Sequence, residues 1–174
     1  MFHLISERLM LIPLDLNQLQ LLKQHRAAFE QSLGLENFGI EISIPAFIEE
    51  FQTALENWVI PNVTQHQADY QWFTVWQIIH RTDNRGVGTI GVNGLPNEHG
   101  EVMIGYFTDA RYEGQGIMTE AVQCLLNWIF QNAEVQSVIA DTLVDGTGSQ
   151  RVLAKNGFVQ DGTTEEGIHW RKQR

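Results

Sequence analysis

The chain has 174 residues, 43% hydrophobic and 18% charged, a composition that fits one folded domain and excludes a disordered or low-complexity segment. A formal net charge of −10 argues against non-specific nucleic-acid or anionic-membrane binding, both of which need a basic surface, and favours cationic partners such as amines, polyamines and basic peptide ends. The single cysteine, Cys124, excludes an intramolecular disulfide framework, and the first residues lack an apolar run of leader or membrane-span length, so the expected compartment is the cytoplasm.

Residues 7–14 (ERLMLIPL) alternate apolar side chains and end at Pro13, the pattern of an edge or half-buried strand. Asp15 is placed to cap a helix whose face carries Leu16, Leu19, Leu22 and Phe29 and which ends near residues 34–39. Ser43 and Pro45 open a second amphipathic helix, with Phe47, Ile48, Phe51, Leu55 and Trp58 at helical spacing. The period then changes. Residues 72–80 are rich in β-branched and aromatic side chains, TDNRG is turn chemistry, residues 86–94 read as the returning strand of a hairpin, and residues 101–108 form a third strand in series.

The run RYEGQGIMTEA, residues 111–121, places Gly114 and Gly116 just before an apolar helix face made by Met118, Ala121, Val122, Leu125 and Ile129. The first amides of such a helix have no intrahelical acceptor and lie at the positive end of its dipole, so they can hold a phosphate or pyrophosphate that glycine lets approach. Residues 137–144 then read as a buried strand and residues 147–155 as a short helix closed by Asn156 and Gly157, with Phe158 opening a last strand pair. The expectation is one domain over residues 1–174, α/β (α+β), with a mixed sheet of about seven strands and about four helices.

Three stretches carry a resemblance: ERLMLIPL, GYFTDARYEGQGIMTEA with Arg111, Gly114 and Gly116, and GSQRVLAKNGF with Ser149, Leu153, Lys155, Gly157 and Phe158. In this order they resemble the GNAT superfamily of acyl-CoA-dependent N-acyltransferases, and more closely its RimJ/RimL-like branch that acetylates protein N-terminal amines. The chain departs from the family pattern at Gly146, where asparagine is usual three residues before the serine, and in its short tail of sixteen residues after Phe158.

The resemblance implies a sheet splayed at the cofactor site and acetyl-CoA as acetyl donor, with direct transfer to an amine in a ternary complex and no metal. Backbone groups of Tyr106, Phe107 and Thr108 would pair with the pantetheine arm. The pyrophosphate would rest on amides from Tyr112 through Gly114, Gln115, Gly116, Ile117 and Met118 to Thr119, with Arg111 either adding charge or standing as a solvated loop cation. A backbone N–H near Phe107 would be the oxyanion donor. Ser149 would be the acid for the departing thiolate, with helix capping as its other reading, and Gly146 would affect how pantetheine or acceptor is held.

For the base, Glu165 or Glu166 is first choice, with Glu101, His80 and His169 as alternatives. Cys124 reads as a buried, inert thiol and the scattered histidines as no metal site. Phe29, Phe38, Phe47, Phe51, Trp58, Trp72 and Trp76 read mainly as core, with an acceptor cleft as their other role. The acceptor is a peptide N-terminus or a small amine such as a polyamine; nucleic acid and membrane are not expected partners, and a homodimer is left open. The rival reading is a non-catalytic acyl-CoA-binding or sensor module with the same fold.

Overall fold

A computed structural model describes residues 2–36, 39–165 and 167–174. Its sheet has eight strands in the order β1-β2-β3-β4-β5-β6-β8-β7: β1 (Leu4–Ile5), β2 (Leu9–Pro13), β3 (Val75–His80), β4 (Arg85–Val92), β5 (Glu101–Thr108), β6 (Ser137–Thr142), β7 (Val159–Thr164) and β8 (Gly167–Gln173). Every pairing is antiparallel except β5 with β6. The sheet is therefore mixed, as expected, and its strand beyond the expected seven is the two-residue β1.

Asp15 caps α1 (Leu16–Gln24) through a reciprocal capping box with Gln18, satisfying two orphan amides of the first turn. The expected single helix breaks at His25, an extended residue at φ −147°, and resumes as α2 (Arg26–Ser32). The second expected helix starts as α3 (Ala46–Ala54), widens into a π-helical stretch (Leu55–Val59) and continues as α4 (Ile60–Gln65). α3 buries none of its residues, Ile48 is exposed, and only from Leu55 does this segment enter the core. Ser43 does not cap it; its hydroxyl donates to Glu113.

α5 (Ile117–Ile129) covers one face of the sheet. Its stripe Ile117, Met118, Ala121, Val122, Leu125, Leu126 and Ile129 is buried against Leu9, Leu11, Trp76, Ile78, Val87, Ile90 and Val102. A side chain such as Leu125, fully removed from water, contributes about 1.5–3 kcal/mol. α6 (Thr147–Lys155) joins the same core through Leu153, beside Phe158 and Trp170. On the other side, α1, α2 and the Leu55–Val63 segment enclose a second core with Leu14, Phe73 and Val75. Of the seven aromatics expected mainly as core, Phe29 and Trp76 are buried, Trp72, Trp58 and Phe51 pack at the core margin, Phe47 is half-buried on α3 and joins no core cluster, and Phe38 lies outside the described residues.

Candidate active site

Among the described residues β5 and β6 are the only parallel neighbours, and they stay paired for three rungs, Glu101 to Ser137, Val102 to Val138 and Met103 to Ile139. Beyond Met103, β5 goes on pairing with β4 while β6 goes on pairing with β8. The sheet thus opens in a wedge between residues 104–108 and residues 140–142, leaving backbone groups of both strands without a ladder partner across it. Such groups need an acceptor or donor from a ligand or water.

The ladder also shows which amides of β5 look into the wedge. Asn93 donates to the Met103 carbonyl at 2.9 Å and Asp109 donates to Val87 at 2.9 Å, so the odd residues of β5 direct their backbone toward β4. Phe107 lies in that alternation. The amides of Tyr106 and Thr108 face the wedge instead, so Phe107, near which the resemblance leads one to expect an oxyanion donor, aims its own amide at β4. The Phe107 ring projects to the face opposite α5 and packs edge-on against Phe51 of α3, centroids 5.2 Å apart.

At the mouth of the wedge lies the glycine loop. Gly114 (φ 72°) and Gly116 (φ 77°) both adopt left-handed backbone, Gly116 as the residue preceding α5. A Cβ built on Gly114 meets nothing within 4 Å, so the space beside it is open to a ligand. The first intrahelical bond runs from Glu120 N–H to Gly116 O at 3.1 Å, leaving the amides of Ile117, Met118 and Thr119 without an intrahelical acceptor. The cradle is narrower than expected at its start, because the Tyr112 amide is used internally on Asp109 O and the Tyr112 hydroxyl donates to Asp83. Gln115 donates its side-chain amide to Arg111 O.

Two cations brace this loop, one of them absent from the sequence reading. Arg8 of the first long strand region donates to Gln115 O at 3.0 Å and forms an ion pair with Glu120 at 2.7 Å; Ser6 and the Arg8 amide also donate to that carboxylate. Burial alone would raise the Glu120 carboxyl, but these three donors hold it below the usual carboxylate range. Arg111 grips the fully buried Asp109 through two nitrogens, at 2.9 and 2.6 Å, and donates to Gly39 O. Its charge is largely balanced by Asp109, so its evident work is to tie the glycine loop to residues 39–41. Lys155 of α6 lines a surface groove together with Gly116, Thr119 and Gln123.

On the α5 side the wedge is spanned by two hydroxyls. Ser149, in the first turn of α6, donates to the Tyr106 hydroxyl at 2.9 Å, and Tyr106 donates to Ser149 O at 3.3 Å. Ser149 therefore does not cap its helix; Gly146 precedes α6 with no side-chain cap. Burial pushes the Tyr106 phenol up to about 12, against the opposing hydrogen bond from Ser149, so this group stays protonated at neutral pH. A Cβ on Gly146 would come within 3.1 Å of Leu143 O, so the turn into α6 is tight at the position where the resemblance leads one to expect asparagine.

The remaining candidates are dispersed over both faces and the margin of the sheet. Glu101 sits at the closed end of the wedge, ion-paired with Arg171 at 2.5 Å, and the Arg171 and Asn97 donors hold its carboxyl below the usual range. His80 ends β3, two strands away, with Asp83 at 3.1 Å. Glu165 is exposed at the turn between β7 and β8, and Glu166 lies outside the described residues. His169 is half-buried on β8 opposite Asp141 of β6, its Nδ1 2.6 Å from Asp141 Oδ1. Cys124 is half-buried in α5, and burial followed by the Glu120 charge pushes its thiol up, away from reactive thiolate.

Compared with known proteins, residues 8–159 match the family model for an acetyltransferase (GNAT) domain. A Bacillus subtilis (strain 168) protein named uncharacterized N-acetyltransferase YjdG is 34% identical over 98 residues, 56% of this chain and 58% of that protein. The ribosomal-protein-serine acetyltransferase of Escherichia coli (strain K12) is 27% identical over 123 residues, 70% of this chain and 65% of that protein. These matches each span less than two thirds of the relative's own length. The solved structure titled RimL ribosomal L7/L12 alpha-N-protein acetyltransferase in complex with coenzyme A superposes with a TM-score of 0.68 over 99% of this chain and 98% of that one, at 19% identity, a likeness of fold.

Proposed function

We propose, from the premise that this chain belongs to the acetyltransferase (GNAT) domain family, that it transfers the acetyl group of acetyl-CoA to a primary amine within a ternary complex. The observation that carries this reading is the wedge between β5 and β6 with an open helix N-terminus at its mouth. A pantetheine arm is an extended, amide-bearing chain, which suits the unpaired edges of the wedge, and a pyrophosphate suits the amides beside Gly114 and Gly116. Two cations flank this cradle: Arg8, which donates to Gln115 O and lies 3.6 Å from the Cβ position of Gly116, and Lys155, which lines the adjoining groove.

With the donor so placed, the thioester carbonyl lies among the wedge-facing amides of Tyr106 and Thr108, which stabilise the developing oxyanion. The Tyr106–Ser149 hydroxyl pair stands on the α6 side, where the departing sulfur takes its proton. The acceptor approaches from the opposite face, whose β5 to β8 floor carries Gly105, Phe107 and Ile139 and is left partly uncovered by α3. An open, strand-lined floor suits an extended peptide end, and relatives named for ribosomal-protein acetylation support a protein N-terminal amine as acceptor. The acidic net charge draws an ammonium end toward the protein.

The test is release of free CoA thiol from acetyl-CoA over time, against a panel of N-terminal peptides and small amines. Acceptor-dependent thiol release with a matching mass gain on the acceptor supports the reading; CoA binding without release for every acceptor would replace it by the acyl-CoA-binding sensor.

A further inference from the structure

Asp141 and His169 form a cross-strand pair on the uncovered face of the sheet, and its position is set by register. The last rung joining β5 and β6 is Met103 to Ile139. Two residues further along each strand, on the same face, come Gly105 and Asp141, now separated by the wedge. Asp141 is directly opposite His169 in the β6–β8 ladder. Gly105 is exposed, and a Cβ there would meet nothing within 4 Å, so the floor between it and the pair is open.

The bond between the pair decides which nitrogen is available. An ionised carboxylate only accepts, so the 2.6 Å contact requires the proton on His169 Nδ1 and leaves the Nε2 lone pair unprotonated in the neutral ring. Among the described residues the ring has no other hydrogen bond, and both side chains keep some access to solvent, at 17% and 15% exposure. The nearby charges are already paired: Arg171 bridges Glu101, Asp161 and Ser137. Neither Glu101 nor Asp161 is therefore placed to compete for the proton of an incoming ammonium, while an imidazole held in one tautomer is.

We propose that His169, oriented by Asp141, is the base that deprotonates the acceptor amine; this rests on the transferase reading given above. The acceptor ammonium loses one proton to His169 Nε2, from which it passes to solvent. The neutral nitrogen then forms its bond to the thioester carbon as the carbonyl electron pair moves onto oxygen. As the carbonyl re-forms and the C–S bond breaks, the nitrogen loses its second proton to His169 Nε2, neutral again after the first transfer, and the thiolate takes a proton from the Ser149–Tyr106 hydroxyls on the other side of the wedge, which solvent reprotonates. The products are the acetamide and free CoA thiol. Proton removal from nitrogen and proton delivery to sulfur are thus assigned to opposite faces of one sheet, and Asp141 is a positioning residue that never contacts the acceptor.

The experiment measures kcat, acceptor KM and CoA affinity for the wild type, His169→Ala, His169→Gln and Asp141→Asn. The His169 variants are expected to lose about 10²-fold or more in kcat with CoA affinity retained, the range of a removed general base. Added imidazole should restore part of the rate of His169→Ala and none of the rate of Ser149→Ala, a response that a merely structural histidine would not give. Asp141→Asn, which keeps shape but removes the tautomer control, should lower kcat with little change in either binding constant. Wild-type turnover that persists in both His169 variants would overturn this assignment alone and leave the transferase reading standing. A wild type that releases no thiol with any acceptor overturns both.

Discussion

Gly114→Val separates the ligand role of the glycine loop from its conformational one. The left-handed backbone at φ 72° makes any β-branched residue strained there, at a cost of about 1–3 kcal/mol, which a domain with ~5–15 kcal/mol of stability survives. Apart from the adjoining residues of the chain, nothing in the protein lies within 4 Å of the new Cβ, so the added bulk enters the space that the pyrophosphate would occupy. Losing two charge-assisted amide hydrogen bonds, at about 1.5–3 kcal/mol each, lowers CoA affinity by roughly 10²-fold or more. Gly34→Val is the matched control, since Gly34 has φ 69°, an equally open Cβ position and a place in the turn after α2. Titration calorimetry with CoA, alongside thermal unfolding, should show similar destabilisation of both variants and loss of affinity only in Gly114→Val. Affinity within about threefold of wild type in Gly114→Val, or an equal fall in Gly34→Val, would refute the cradle.

Two further outcomes follow from the geometry. Ser149→Ala should lower turnover by ~10–100-fold while CoA affinity stays within a few-fold, because in the proposed mechanism the hydroxyl pair with Tyr106 serves the departing sulfur and not the pyrophosphate; parallel loss of binding and turnover would place it in the binding site alone. Asp109→Asn should cost about 2–3 kcal/mol in urea unfolding at neutral pH, less than a fully buried pair because Arg111 is 30% exposed. Burial works to raise the Asp109 carboxyl, but the Arg111 and Glu41 donors outweigh it and leave the value lowered. A lowered folded value gives stability that is present above the ordinary carboxylate range and lost as pH falls through the folded one. The gap between variant and wild type should accordingly narrow in acid; an undiminished gap would assign the effect to packing.

Local order was legible wherever a signal was local. Asp15 with Gln18 three residues on, the α5 stripe, and the Gly114–Gly116 pair are all written within one or two turns of chain, and each appears at its expected place. β1 was not legible because two residues carry no period, and the break at His25 was not because Phe29 still falls on the helical face. Side-chain partners across the sheet were the least accessible. Ser149 and Tyr106 are 43 residues apart and Asp141 and His169 are 28 apart, so the docking of α6 beside β5 brings the first pair together and the β6–β8 register the second. The same limit hid Arg8, whose arginine reads as an ordinary strand-edge cation until the sheet sets it beside Gln115 and Glu120. Phe107 shows the reverse case: its strand was evident, but the parity that turns its amide toward β4 depends on where the neighbouring strand begins.

The end of the sheet at β7 bears on how this protein behaves when concentrated. All six of its residues are exposed, and an outer strand with free amides and carbonyls is a template for the addition of another chain. Its ladder to β8 is interrupted between Gln160 and Thr163, Gly162 sits there at φ 115°, and the Asp161 carboxylate is anchored to Arg171. Two short runs of pairing with a kink and a charge between them offer no flat edge for a foreign strand to extend. At the far end, β1 is too short to do so. Resistance to edge-to-edge aggregation is thereby built into both margins of the sheet, leaving the central wedge as the place where its unpaired backbone is free to meet a ligand.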